Sequence, residues 1–176
     1  MVAGVVPVRF PEGVVHGFLL LRQADGTVIA AGDLLQINRG GTVESRTVFR
    51  FNDKSVSDET VIYTQQGIFN LQRYRSLQQG PSFKTDQEIL LERPGRYVVK
   101  SKDHEQGKQE ILSGTLDLPP DVYNGMAITV AKNLPPGAHE IVHYVAFTPK
   151  PQVSAWLDVN RSCGSPSERI EPSRTE

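Results

Sequence analysis

The run TVESRTVFRFN, residues 42–52, decides the fold. Val43, Thr47, Phe49 and Phe51 alternate with Glu44, Arg46, Arg50 and Asn52, the period of a strand with one buried and one solvated face. Turn formers bound the run, Asn38-Arg39-Gly40-Gly41 before it and Asn52-Asp53-Lys54-Ser55 after it. The same punctuation recurs about every 13 residues, at Asp25-Gly26, Gln65-Gln66-Gly67, Gln79-Gly80-Pro81, Arg93-Pro94-Gly95 and Asp103 to Gly107.

β-type runs fill the intervals. Val14 to Arg22 and Val28 to Ile37 form a first hairpin across Asp25-Gly26, and Val61 and Tyr63 continue the alternation after the run 42–52. Phe69, Leu71 and Leu77 share a parity with Arg73 and Arg75, so that strand is either less cleanly alternating or bulged. Glu88 to Leu91, Tyr97 to Lys100 and Glu110 to Leu116 complete the series. The expected fold is mainly β, a long-stranded antiparallel meander curled into a half-barrel or open barrel.

The pattern changes at Pro119-Pro120. Val122, Met126 and Val130 recur at helical spacing, and Pro135-Pro136-Gly137 stops the run, so one amphipathic helix is expected over about 121–133. Asp121 caps it, and Gly125 in its middle marks close packing on the sheet. Glu140 to Thr148 and Val153 to Val159 then read as strands, while residues 161–176 read as a disordered polar tail behind a single β-rich domain, 1–160.

Composition narrows the function classes. The formal net charge of −1, with Lys and Arg spread along the chain, gives no electrostatic case for nucleic acid. The single Cys163 excludes an internal disulfide and a Cys-based zinc cluster. No apolar run approaches a transmembrane segment, and the start lacks the basic n-region of a signal peptide.

His139-Glu140-Ile141-Val142-His143 matches the H-E-x-x-H pattern of zinc peptidases. On a helix the two imidazoles share one face, with Cβ atoms about 5–6 Å apart, while the glutamate activates water. On a strand they stand about 13 Å apart and the glutamate points the other way. The β-formers Ile141, Val142, Tyr144, Val145 and Phe147 favour the strand. Only Asp158, Glu168 and Glu171 lie downstream as a third ligand. The alternative reading is therefore a zinc-dependent metallohydrolase with His139 and His143 as ligands and Glu140 as base; the preferred reading has no catalytic residue, metal or cofactor. His16 and His104 are isolated, Asp117 and Asp121 read as turn and cap residues, and Arg73-Tyr74-Arg75 reads as a solvated basic stripe.

Three segments carry a resemblance: Gln78 to Phe83 (QQGPSF), Leu116 to Asp121 (LDLPPD) with Asn124-Gly125, and Phe147 to Pro151 (FTPKP). In that order they resemble a family of uncharacterised bacterial envelope proteins that usually carry a signal peptide. The resemblance spans Val14 to Val159. It implies a curled antiparallel sheet with a helix, loosely similar to the LolA/LolB lipoprotein carriers, a place in the cell envelope or periplasm, and a strand before the Thr-Pro-Lys-Pro segment. It transfers no functional residue. Such proteins continue past that segment with further strands, so the chain reads as a fragment lacking one or both natural ends.

The expected function is a non-catalytic envelope-type β protein that binds a lipid or other hydrophobic ligand, or acts as a scaffold. Val153 to Val159 is expected to be an uncovered sheet edge that drives self-association.

Overall fold

The turn signals separate eight strands in a computed structural model that describes residues 4–147 and 150–160. They are β1 (Val15–Arg22), β2 (Val28–Arg39), β3 (Thr42–Phe51), β4 (Val56–Gln66), β5 (Ile68–Gln79), β6 (Thr85–Glu92), β7 (Arg96–Asp103) and β8 (Gln109–Thr115). Each pairs antiparallel with its sequence neighbours in the order β1-β2-β3-β4-β5-β6-β7-β8. Among the described residues the sheet does not close, because β1 and β8 each have one strand neighbour, which fits an open or curled sheet.

The parity break in β5 is a bulge. Ile62 pairs with Arg73 and Tyr63 with Leu71, leaving Gln72 as the extra residue. Phe69 and Leu71 therefore face the same side as Tyr74, while Arg73 and Arg75 face the other. A one-residue slip repaired in this way keeps one face apolar along the whole strand.

After β8 the chain crosses the apolar face. The helix is shorter than expected: α1 is Ala127–Asn133, preceded by Met126. Gly125 lies at φ +68, a left-handed conformation that ends helical continuity, and residues 121–124 are engaged elsewhere. Asp121 does not cap α1. Its carbonyl accepts from the His143 N–H at 3.1 Å, and the Tyr123 N–H donates to the His143 carbonyl at 3.0 Å. This segment lies parallel to β9 (His139–Ala146), which pairs on its other side with β10 (Gln152–Asn160) in a two-stranded sheet. The expected strands are thus present. The disordered-tail reading, 161–176, lies outside the described residues, as do the side chains of Ala155, Leu157 and Val159; Val153 packs against the core.

The core forms between one half of the sheet face and these crossing elements. It joins Val61, Tyr63, Phe69, Leu71, Tyr74, Ile89, Leu91 and Val99 from the sheet to Val122, Tyr123, Met126, Val130, Val142 and Val145 from above. Full burial of a side chain such as Phe69, Leu71, Leu91 or Met126 stabilises by about 1.5–3 kcal/mol each. The N-terminal segment fastens the layers. Val6 N–H donates to the Tyr123 hydroxyl at 3.0 Å, and the N–H groups of Arg9 and Phe10 share the buried Asn133 Oδ1 at 2.8 and 2.7 Å.

Candidate functional site

Cross-strand partners point to the same side of a sheet, so the register sorts every side chain into the face that carries the core, here the inner face, or the outer one. The inner rows begin in β1 and run Gly17–Leu34–Thr47–Glu59–Ser76, Leu19–Gly32–Phe49–Ser57–Gln78, and Leu21–Ala30–Phe51. Leu19, Leu34, Phe49 and Phe51 are apolar but only partly buried, and none belongs to the core cluster. The inner face thus has two halves. The half over β4–β7 is covered, and so is the end of β2–β3 at Gln36, Asn38 and Val43, where Glu12 and the core lie over it; the rest of the inner face of β1–β3, around Leu19, Leu34, Phe49 and Phe51, is an open apolar tract. Phe83 lies edge-on to Phe51 with ring centroids 5.6 Å apart and bounds the tract at one end.

Gly32 shapes the tract floor. A Cβ there would collide with the Val48 carbonyl oxygen and lie 2.9 Å from the Phe49 ring, so the ring settles against bare backbone. At the seam between the halves stands Glu59. Its Oε2 accepts the Tyr74 hydroxyl proton at 2.9 Å, and its Oε1 has no hydrogen-bond partner among the described residues. Burial holds the Glu59 carboxyl above its ordinary pKa, and the Tyr74 hydrogen bond opposes that shift. Burial, followed by the adjacent Glu59, pushes the Tyr74 hydroxyl well up.

The outer face is different in kind. Arg46 makes a two-point bond to Asp58 at 2.9 and 2.6 Å, Arg75 and Lys100 converge on Glu88, and Arg73 and Arg96 converge on Glu92. These cation bonds hold Asp58, Glu88 and Glu92 below the usual carboxylate range. A shallow depression of about 280 Å³ lies among Arg73, Arg75, Glu88, Leu90, Val98 and Lys100. Its charges already satisfy one another, and Tyr74 faces away from it, so Arg73-Tyr74-Arg75 presents no stacked basic motif.

His139, Glu140 and His143 lie on β9. The helical spacing that an H-E-x-x-H site requires is absent, and two imidazoles four residues apart on a strand are separated by about 13 Å. No group of three or more metal-ligating side chains occurs among the described residues. His143 Nδ1 instead meets the buried Asp121 Oδ2 at 2.7 Å. His16 Nε2 lies 3.3 Å from Asp33, His104 Nε2 lies 2.8 Å from Asp86, and Asp117 is exposed.

Gln78 to Phe83, Leu116 to Asp121 and Asn124 act as structural stitches. Arg93 donates to the carbonyls of Leu118 and Pro119 at 2.8 Å each. Asn124 exchanges two hydrogen bonds with the Val145 backbone at 2.9 and 2.8 Å, replacing a strand neighbour. Ser82 donates from its backbone to Ser55 Oγ and from its hydroxyl to Asp53, at 2.8 and 2.7 Å, and so docks the Gly80-Pro81-Ser82-Phe83 loop onto the β3–β4 turn. Comparison of the chain with protein-family models, with curated proteins and with solved structures finds no match.

Proposed function

We propose that this is a non-catalytic binding protein of the cell-envelope type, which holds a lipid chain or similar hydrophobic ligand against the open half of its inner face. The observation that carries the reading is the set of partly exposed apolar side chains, Leu19, Leu34, Phe49 and Phe51, on the same face as the core but outside it. Covering such a patch with a hydrocarbon chain gains about 25 cal/mol per Å² of apolar surface removed from water. The resemblance of the LDLPPD and FTPKP segments to envelope proteins supports the compartment.

Lipid extraction of purified protein followed by mass spectrometry tests the reading, alongside uptake of a fluorescent fatty acid. Bound lipid is expected, with uptake reduced at least about tenfold by Leu34→Asp or Phe49→Asp, each of which places a charge on the tract. Lipid-free protein that takes up no probe would refute ligand binding and leave the same sheet with a scaffolding role.

A further inference from the structure

Glu59 differs from the other partly buried acids of the sheet. Asp58, Glu88 and Glu92 each meet an arginine, whereas Glu59 meets no Lys, Arg or His among the described residues. It is the only acid at the inner-face positions of β1–β4, and no basic residue stands at those positions. Its cross-strand neighbours lead directly into the tract, through Thr47 to Leu34. One oxygen is held by Tyr74. The other lies against Gly125, where a Cβ would come within 3.0 Å of it, so the bare glycine leaves that oxygen room.

We propose that the ligand on the tract is a single-chain amphiphile with an ammonium head, its chain lying across Leu34 and Phe49 and its head held by the Glu59 carboxylate. The proposal rests on the hydrophobic-ligand reading above and names the chemistry of the ligand's polar end. A carboxylate partly withdrawn from water without a counter-ion is disfavoured, and an incoming ammonium supplies both the charge and the N–H donors that Oε1 lacks. A carboxylate-headed chain would bring a second negative group to the same point. The upward displacement of the Glu59 carboxyl by burial accords with a site completed by a cation.

Direct binding of dodecylamine, dodecanol and dodecanoate at neutral pH, below their aggregation thresholds, separates the possibilities because the chain is constant. Dodecylamine is expected to bind about tenfold more tightly than dodecanol, with dodecanoate weakest. Glu59→Gln keeps an acceptor for Tyr74, and its fold is checked by a cooperative melt. It should abolish the amine preference, so that dodecylamine and dodecanol bind with equal affinity. Glu44→Gln on the outer face should leave the preference intact, which excludes general charge attraction. Equal affinity for amine and alcohol, or an amine preference that survives Glu59→Gln, would overturn the assignment of Glu59 yet leave the tract as a hydrophobic site. Binding of none of the three would overturn both.

Discussion

Asn124→Ala should be among the more damaging single substitutions in this fold, although it removes only a small polar side chain. Asn124 is 9% exposed and Val145 is 2% exposed, so the Val145 N–H and C=O that its amide satisfies have no ready access to water. Leaving a buried polar group unpaired costs about 1–3 kcal/mol, and alanine orphans two, so a loss of about 2–4 kcal/mol follows if some water enters. For a chain of this size that is a fall in Tm of about 5–15 °C. Urea unfolding with a shared m-value is the assay. Asn52→Ala, whose one bond to the Val28 carbonyl is exposed, is the control and should cost less than about 1 kcal/mol. Asn124→Asp keeps the acceptor, loses the donor and sets a charge against the Val145 carbonyl, so it should be destabilised at neutral pH and partly restored in acid. An Asn124→Ala protein within about 0.5 kcal/mol of the parent, at unchanged m, would refute the view that this amide substitutes for a strand.

Glu59→Gln should stabilise the unliganded protein at neutral pH. The folded-state pKa is raised, so the wild-type contribution is complete below the ordinary value of 4.5 and is lost as pH rises through the folded value; the two proteins should converge in acid, as pH-dependent melts would register. Asp58→Asn has the opposite sign. Asp58 is depressed by Arg46, so its contribution is present above the ordinary 3.8 and disappears as pH falls through the folded value; Asp58→Asn should be modestly less stable at neutral pH and equal in strong acid. Gly125→Ala should lose more than about 1–2 kcal/mol in urea, because a left-handed φ of +68 is compounded by a Cβ 2.5 Å from Val61 Cγ2. Phe18 and Leu20 stand 83% and 58% exposed on the edge strand β1, so size-exclusion chromatography with light scattering should show concentration-dependent association that Phe18→Lys with Leu20→Lys abolishes. A monodisperse parent monomer across the concentration series would dismiss association at that edge.

The meander was legible because alternation and turn chemistry are local. Val43 to Phe51 and its flanking turns declare a two-faced strand without reference to anything distant, and even the bulge at Gln72 left its trace in the parity of Arg73 and Arg75. The helix was read too long for a physical reason. Val122 falls at helical spacing from Met126, but its backbone neighbours are spent on β9, more than 20 residues away in sequence, as the 22-residue separation of Asp121 and His143 records. Tertiary pairing overrode the local period. The Glu59–Tyr74 pair was missed although a signal existed: Ser57, Glu59, Val61 and Tyr63 share one parity, which places an acid at a core-facing position. Its partner, 15 residues on, could not be assigned until the bulge had set the phase of β5.

The N-terminal strap has a temporal consequence. Val6 finds its hydroxyl acceptor 117 residues later, and Arg9 finds the Asn133 side-chain Oδ1 124 residues later. During synthesis at about 5–20 residues per second, those donors leave the ribosome on the order of ten seconds before their partners exist. The hairpins of the meander need no such delay, since every strand meets its neighbour as soon as the next turn emerges. Assembly therefore has a built-in sequence, sheet first and clasp last. The apolar face must stay exposed through the interval, within reach of any chaperone that recognises nascent β-structure.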